Sequence, residues 1–423
     1  MDKVVVIGLG YVGLPTAALI AKAGYQVLGV DVDAGLLDEL GRGECRLQEP
    51  DVKELVEGVL AEGSLTVADT ASPADIFVVC VPTPISADKT ANLKMVKAAM
   101  AATAPSVKAG NLVILESTSP IGTTKNVIGG ALEAVGLDPE KDVDVCYCPE
   151  RVFPGDTIRE ILENDRIIGG LTSKAAVRAQ KFYSSFCRGE AVLTHATAGE
   201  FSKLMENTYR DVNIALANAF ARIAENTDAD VREVIKLANM HPRVNVHTPG
   251  PGVGGHCIPV DPWFLIEAFP EDTALLHQSR TINDTQAARL IDRAEADGGL
   301  DKGDTVAILG AAYRGDIDDA RDTPTELLIG ELSKRGYKWR THDPLVQHFH
   351  LHNGCEPHLT SSMDAALEGA KAVFIMTAHT DYKSLTQDDF SSLAQGVCVI
   401  DGPAILNEAE FTDRQLIITG KRT

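Results

Sequence analysis

One thiol in this chain sits on a backbone suited to close approach. Residues 249–264 read PGPGVGGHCIPVDPWF, with four glycines and four prolines around Cys257 and an acid, Asp261, four residues on. Glycines let a backbone come near a ligand, and prolines restrict the freedom of what they flank. A nucleophilic cysteine needs such a mounting, and a rigid turn carrying a small apolar residue would use the same one. His256 stands beside the thiol, but neighbours in an extended loop tend to point apart, so this pair is not expected to form a Cys–His dyad. Upstream, SKLMENTYRDVN spaces Lys203, Asn207 and Arg210 at i, i+4 and i+7, which places them on one helical face. That trio suits an anionic substrate or a developing oxyanion, and also an ordinary solvated face.

A second constellation lies at the start of the chain. VVVIGLGYVGLP sets Gly8, Gly10 and Gly13 in G-x-G-x-x-G spacing between a strand and a helix, and VLGVDVD ends the next strand on Asp31. The first two glycines are expected to let backbone approach a pyrophosphate, and the third to let the helix pack on the sheet. The phosphates belong at the helix N-terminus, where free N–H groups and the dipole favour negative charge. Asp31 is placed to accept from ribose hydroxyls. No arginine follows it, so a 2′-phosphate meets repulsion and NAD is expected instead of NADP. Thr83 in CVPTP and Thr118 in ESTSP close later strands, where hydroxyls could reach a ligand or simply start turns before proline.

The elements that must position these groups follow a clear plan. Strand patterns at 3–7, 26–30, 76–81, 111–115 and 144–148 alternate with helical ones, predicting a parallel, doubly wound sheet. A polar turn is expected around Thr194–Thr197. A long helical pattern then runs with apolar positions Phe201, Leu204, Met205, Val212, Leu216, Ala219, Phe220 and Ile223. GGLDKGD at 298–304 reads as a linker, and strand patterns resume at 305–310, 338–343, 372–377 and 397–402. The expected plan is an α/β chain with an N-terminal Rossmann-type domain over 1–194, a central helical region over 195–297 and a smaller Rossmann-like domain over 298–423. The face carrying Ala215, Ala217 and Ala219 suits a dimer core.

Bulk properties exclude several classes. The 423 residues carry a net charge of -21, which argues against a nucleic-acid or anionic-membrane binder. No leader pattern precedes the first strand, and no apolar run reaches the roughly 18 residues of a membrane span, so a cytoplasmic location is expected. Eight cysteines are scattered, as in a reducing compartment. Cys146 and Cys148 lack a second cluster at metal spacing and read as strand residues, so no metal is expected. Cys80 and Cys398 read as core.

The motifs taken together resemble the nucleotide-sugar 6-dehydrogenases, the UDP-glucose/UDP-mannuronate dehydrogenase family. The likeness rests on GLGYVGLPTA, VPTP, ESTSPIGTT, YCPERVFPG, KLMENTYRDVNIALANA, HPRVNVHTPGPGVGGHCIPVDPWF and YRGDIDDARDTP, and spans the chain. HPRVN upstream of GGHC and VDPWF is most similar to the branch acting on UDP-N-acetyl-D-mannosamine; Val260 stands where the UDP-glucose branch usually has lysine. UDP-N-acetylglucosamine and UDP-glucose remain alternatives. The resemblance implies a four-electron oxidation of C6 with two NAD, through a thiohemiacetal and a thioester on Cys257. It implies Lys203 and Asn207 at the oxyanion, Asp261 orienting Lys203 and water, and Glu150 as base in thioester hydrolysis. Tyr11, Val12, Asp31, Thr83, Thr118 and Arg321 match cofactor contacts beside the glycines. Arg151, Val152, Lys203, Asn207, Arg210, His241, Arg243, Gly255, Tyr313 and Arg314 match contacts to a UDP-N-acetylhexosamine, in a homodimer or larger homo-oligomer with Arg243 reaching across. Arg314 replaces the family's usual lysine, Pro403 a common basic residue and Asn92 a frequent acid. Two other readings are a sensor of nucleotide sugar or NAD without turnover, and a two-electron hydroxyacid-type dehydrogenase.

Overall fold

The computed structural model describes residues 2–47, 49–152, 155–349, 351, 359–394 and 396–423. Cys355, and Phe153 and Pro154 of the YCPERVFPG motif, lie outside them. The chain divides into two compact units, one of Met1–Glu206 with Trp263–Ala268, the other of Asn207–Pro262 with Phe269–Thr423.

The first unit is built on an eight-stranded sheet. Its strands are β1 (Lys3–Ile7), β2 (Gln26–Val30), β3 (Leu65–Ala68), β4 (Ile76–Val79), β5 (Leu112–Leu115), β6 (Asp144–Tyr147), β7 (Arg166–Gly170) and β8 (Ala191–His195), in the order β3-β2-β1-β4-β5-β6-β7-β8. The first six strands pair in parallel, and the order reverses between β1 and β4, the switch point at which such sheets bind ligands. Both faces are buried: Val4 and Val6 pack into one core, Val5 and Ile7 into the other. Near-continuous apolar strands are what two covered faces demand.

Three differences from the sequence expectation have physical causes. The sheet is not parallel throughout, because β7 meets β6 antiparallel through Cys146–Gly170 and Tyr147–Gly169. The edge strands β3 and β8 were not anticipated: β3 is short, and β8 exposes Val192 and Leu193 without alternation. There is no turn at Thr194–Thr197, since β8 ends at His195 and the helix Ala196–Ala224 begins at the next residue.

That 29-residue helix holds the division between the units. Its apolar positions split into two sets. Leu204 is buried, whereas Phe201, Met205, Leu216, Phe220 and Ile223 are exposed, Met205 by 55% and Ile223 by 60%. Ala215 and Ala217 are buried within the chain, so the alanine face is not available to a partner; the larger side chains are.

The second unit carries a parallel sheet in the order β10-β9-β11-β12-β13, from β9 (Thr305–Leu309), β10 (Lys338–His342), β11 (Ala372–Ile375), β12 (Cys398–Asp401) and β13 (Leu416–Ile418). The helix Gln286–Ala296 packs on it through Leu290, Ile291 and Ala294. The stretch expected as a linker is a packed turn: Leu300 is buried in the same core, and the N–H groups of Gly298 and Leu300 both reach the Ala294 carbonyl at 3.1 Å. Inside this unit Asp211 accepts from Arg280 at 2.5 Å and Asn283 at 2.8 Å, and Asn283 accepts from Asn218 at 3.0 Å, a buried polar tie between two helices.

Candidate active site

In the first unit the three glycines divide their work differently from the expectation. Gly8 has φ +91° and a Cβ there would lie 2.9 Å from the Cys80 carbonyl oxygen, so it is required for the turn itself. A Cβ at Gly13 would overlap the Gly8 carbonyl, which makes it the packing glycine. A Cβ at Gly10 would meet nothing within 4 Å. Of the three, only Gly10 therefore offers open backbone to a ligand, just ahead of the N-terminus of the helix Gly13–Lys22 and its dipole.

Asp31 stands where expected, and its carboxylate also serves the turn, accepting from Leu9 N at 2.7 Å and Asp33 N at 3.0 Å. An arginine does stand near the end of β2: Arg46 reaches Asp33 at 3.2 Å from thirteen residues away. Glu39 also holds that guanidinium, at 2.8 Å, so it is already neutralised. Tyr11 donates to Glu49 and lies 2.8 Å from the Thr157 hydroxyl, and Glu49 in turn accepts from Gly155 N and Thr157 N. The Thr83 hydroxyl donates to the Thr118 carbonyl, so its contact is with the neighbouring strand end. Val12 is the residue before the helix, partly buried. The Thr118 loop is fixed by buried Glu200, which accepts from Gly122 N, Thr124 N and the Thr124 hydroxyl at 2.6–2.7 Å.

Glu150 follows β6. One carboxylate oxygen accepts from Arg151 N at 2.7 Å and the other from Arg166 at 2.9 Å, in a pair only 5% and 8% exposed. Arg151 is paired with Glu206 and also donates to the Asp165 carbonyl. Val152 is partly buried and Lys203 is buried. Sequence reasoning missed Arg166, Glu116 and Tyr183. A charged residue opening the apolar strand RIIGG, and one closing VILE, were the available signals. Cys80, read as core, donates its S–H to Glu116 at 3.2 Å. Cys146 is a core residue and Cys148 is buried beside Arg166, its thiol pushed up to about 12 by burial.

In the second unit the thiol loop is gripped along its length. Gly250 donates to Asn218 and accepts from Gln286, and Gly255 N donates to the Arg321 carbonyl at 3.1 Å. A Cβ at Gly254 would lie 2.7 Å from both Tyr313 and Pro324, and one at Gly255, where φ is +85°, 3.1 Å from the Tyr313 ring. The Cys257 carbonyl accepts from Val260 N and Asp261 N, winding the chain into the helix Asp261–Ala268. Cys257 is partly exposed, within electrostatic reach of the Tyr313 hydroxyl and the Arg321 guanidinium. Burial, with Asp319 and Cys257 adding, pushes the Tyr313 hydroxyl up to about 12. Burial would raise the Asp319 carboxyl, but the Arg321 guanidinium holds it below its ordinary range.

Beneath the loop, Asn207 donates to Asp261 at 2.5 Å, both residues buried. Asn207 and Lys203 share burial on the long helix, whereas Arg210 is exposed, so the three do not present a uniform face. His241 and Arg243 are exposed and joined by a 3.3 Å bond from Arg243 N to the His241 ring. Tyr313 and Arg314 are partly buried on a loop pinned by Asp343, whose carboxylate accepts from Ala311 N, Ala312 N and His379. The Arg321 side chain pairs with Asp319, and its carbonyl accepts from the thiol loop at Gly255 N. Pro403 is partly buried, and Asn92 Oδ1 accepts from Lys94 N.

Among the described residues no cluster of His, Cys, Asp and Glu could hold a metal ion, and no helix is long and apolar enough to cross a membrane. The first unit fits NAD on its own geometry: open backbone at Gly10, a helix N-terminus behind it and a carboxylate at the end of β2.

Comparison with known proteins agrees. Residues 2–187 match the NAD binding domain of the UDP-glucose/GDP-mannose dehydrogenase family, 197–285 its central domain and 307–408 its UDP binding domain. The chain is similar to a UDP-N-acetyl-D-mannosamine dehydrogenase of Methanocaldococcus jannaschii, 39% identical over 96% of this chain and 93% of that protein. It is also similar to an NDP-N-acetyl-D-galactosaminuronic acid dehydrogenase of Ralstonia nicotianae, 38% identical over 92% and 93%. The solved structure of a UDP-D-ManNAc dehydrogenase from Pyrococcus horikoshii superposes with a TM-score of 0.90 at 37% identity, covering 99% of both chains. The chain belongs to the UDP-glucose/GDP-mannose dehydrogenase family and is an NAD-binding dehydrogenase.

Proposed function

We propose that this enzyme oxidises C6 of a UDP-N-acetylhexosamine, UDP-N-acetyl-D-mannosamine in the first place, to the uronate. The reading is carried by the Cys257 loop, a partly exposed thiol on a backbone fixed at Gly250, Gly254 and Gly255, with the Asn207–Asp261 pair beneath it. The naming of relatives supports the sugar. NAD, when bound, would supply the hydride acceptor for each of two oxidations. The alcohol loses hydride and proton to become an aldehyde; the Cys257 thiol adds across the carbonyl to give a thiohemiacetal. Loss of a second hydride and a proton leaves a thioester, and water then releases the carboxylate and restores the thiol. Lys203 and Asn207 donate to the oxygen that develops charge, Asp261 orients them, and Glu150 takes the proton of the attacking water. Gly10, Tyr11, Val12, Asp31, Thr83, Thr118 and Arg321 serve the cofactor, on a turn that Gly8 and Gly13 make possible. Arg151, Val152, Arg210, His241, Arg243, Gly255, Tyr313 and Arg314 serve the nucleotide sugar. The exposed apolar side chains of the long helix favour a homodimer, and the NAD-linked chemistry suits the cytoplasm.

The Ralstonia relative favours a second reading, in which the galacto-configured sugar is the substrate. A panel of UDP-sugars with NAD, scored by NADH yield and product mass, separates them. Two NADH per UDP-N-acetyl-D-mannosamine, with lower kcat/KM for the galacto, gluco and UDP-glucose substrates, supports the first reading. One NADH per sugar, or a rate independent of Cys257, overturns it.

A further inference from the structure

Beneath the ends of β5 and β6 the first unit buries two carboxyl groups, Glu116 and Glu150, and one guanidinium, Arg166. Glu116 is 3% exposed and Arg166 4%. Every nitrogen of the Arg166 guanidinium is occupied. It reaches Glu150 at 2.9 Å and the Ile161 carbonyl at 3.2 Å through one terminal nitrogen, the Cys148 sulfur at 3.9 Å through the other, and the Cys187 sulfur at 3.2 Å through Nε. The Tyr183 ring lies under it, 4.7 Å from the guanidinium carbon. The Tyr183 hydroxyl donates to Glu116 at 2.5 Å, and the Cys80 thiol donates to the other Glu116 oxygen. Such a cation is held in place and cannot swing away from its carboxylate.

We propose that Arg166 is a positioning residue that fixes the orientation and charge of Glu150, with Tyr183 and Glu116 supporting it from below. This rests on the reading that Glu150 takes the proton of the attacking water. Two buried acids share one cation, so only one is balanced as a carboxylate. Burial, with Glu150 adding, raises the Glu116 carboxyl against the pull of Arg166, which leaves the guanidinium to Glu150. The remaining groups facing Arg166, Cys148, Cys187 and Tyr183, are pushed up by burial and stay neutral. Glu150 thus keeps the guanidinium as its partner in a dry setting, and each of its oxygens has a lone pair left for a proton.

The test is single-turnover kinetics of Arg166→Met and Arg166→Lys in the intact enzyme with NAD and UDP-N-acetyl-D-mannosamine, over pH 5–9. In Arg166→Met both NADH form, and the covalent sugar–enzyme adduct persists roughly 10²-fold longer, as a misplaced base implies. The acid limb of adduct hydrolysis moves up by about 1–3 units, since a buried carboxylate without its cation holds its proton more tightly. KM for the sugar stays within about twofold. Arg166→Lys keeps a charge but loses the fork, so the limb returns toward wild type while hydrolysis remains slow. Should Arg166→Met not fold, the lysine variant carries the test. Glu150→Gln separates the layers. An adduct in Glu150→Gln but wild-type hydrolysis in the Arg166 variants overturns this inference alone; no adduct in Glu150→Gln overturns it together with the role of Glu150. A lower melting temperature with an unshifted pH limb makes Arg166 merely structural and also overturns it.

Discussion

Replacing Gly10 and Gly13 by alanine in separate variants should produce opposite outcomes from one motif. A methyl at Gly13 overlaps the Gly8 carbonyl and lies 3.0 Å from Cys80 Cβ, against the 3.4 Å at which ordinary contact begins. Overpacking of that kind costs about 1–3 kcal/mol. For a unit of this size each kcal/mol lowers the melting temperature by about 2–4 °C, so a fall of about 2–12 °C is expected. A methyl at Gly10 meets nothing, and its backbone is not in the left-handed region. Restricting the unfolded chain should leave stability level or raise it by about 0.4–1 kcal/mol. The methyl does, however, occupy the space a pyrophosphate uses to reach the helix N-terminus. Each charge-assisted hydrogen bond lost there costs about 1.5–3 kcal/mol, or roughly 10- to 100-fold in Kd. Scanning calorimetry and NADH titration by fluorescence read both quantities on the same samples. Wild-type NADH affinity in Gly10→Ala, or equal destabilisation of the two variants, would refute the division of labour.

Cys257→Ser should bind NAD normally and make uronate several orders of magnitude more slowly, because the hydroxyl lacks the thiol's nucleophilicity; liquid chromatography of the product checks this. Asp343→Asn should destabilise the second unit by about 3 kcal/mol at neutral pH, since it leaves buried donors facing an amide. Burial pushes the Asp343 carboxyl up, but His379 and the N–H groups of Val346, Ala312 and Leu345 outweigh it and hold the group well below the usual range. A depressed carboxyl stabilises fully above its unfolded value near about 3.9 and loses that contribution as pH falls. The stability gap between wild type and Asp343→Asn in urea melts should therefore shrink below about pH 4; a constant gap down to pH 2 contradicts the pairing. Ile223→Glu should shift the particle mass toward the monomer in light scattering, because it places charge in the exposed apolar stripe.

Legibility followed the range of the signal. β1 and β2 match the sequence expectation to the residue, because a two-faced apolar run between a polar start and a glycine or acid stop has no rival interpretation. The expected ends of β4 and β6 overrun by two residues and one, where the apolar pattern continues into the ligand-side turns, and the expected start of β5 is one residue early. β3, β7 and β8 were invisible because a four-residue edge, a glycine-ended strand opening on arginine and a half-exposed strand each lack periodicity. The thiol loop was conspicuous from glycine and proline alone, but not its fastenings. Asn218 and Gln286 hold Gly250 from 32 and 36 residues away, and Tyr183 meets Glu116 across 67. Side-chain tertiary bonds at that separation leave no spacing to detect. Arg46 shows the reverse error: the absence of a nearby arginine in the sequence was not its absence in space.

The charge distribution explains how a protein of net charge -21 manages phosphate-bearing ligands. Most arginines near the expected positions are already committed. Arg46 is taken by Asp33 and Glu39, Arg151 by Glu206, Arg166 by Glu150 and Arg321 by Asp319. A neutralised guanidinium supplies shape and donors and little field. On this reading the cofactor turn relies on backbone: open chain at Gly10 and the dipole at the N-terminus of the helix that follows. Lys203, Arg210 and Arg243, by contrast, take part in no ion pair among the described residues. Those three lie on the long helix and in HPRVN, the segments whose resemblance pointed to the nucleotide sugar. On the proposed reading, cofactor recognition by backbone and sugar recognition by uncommitted cations is a consistent division for an acidic chain, because a cation without a carboxylate partner keeps its field for an anionic ligand.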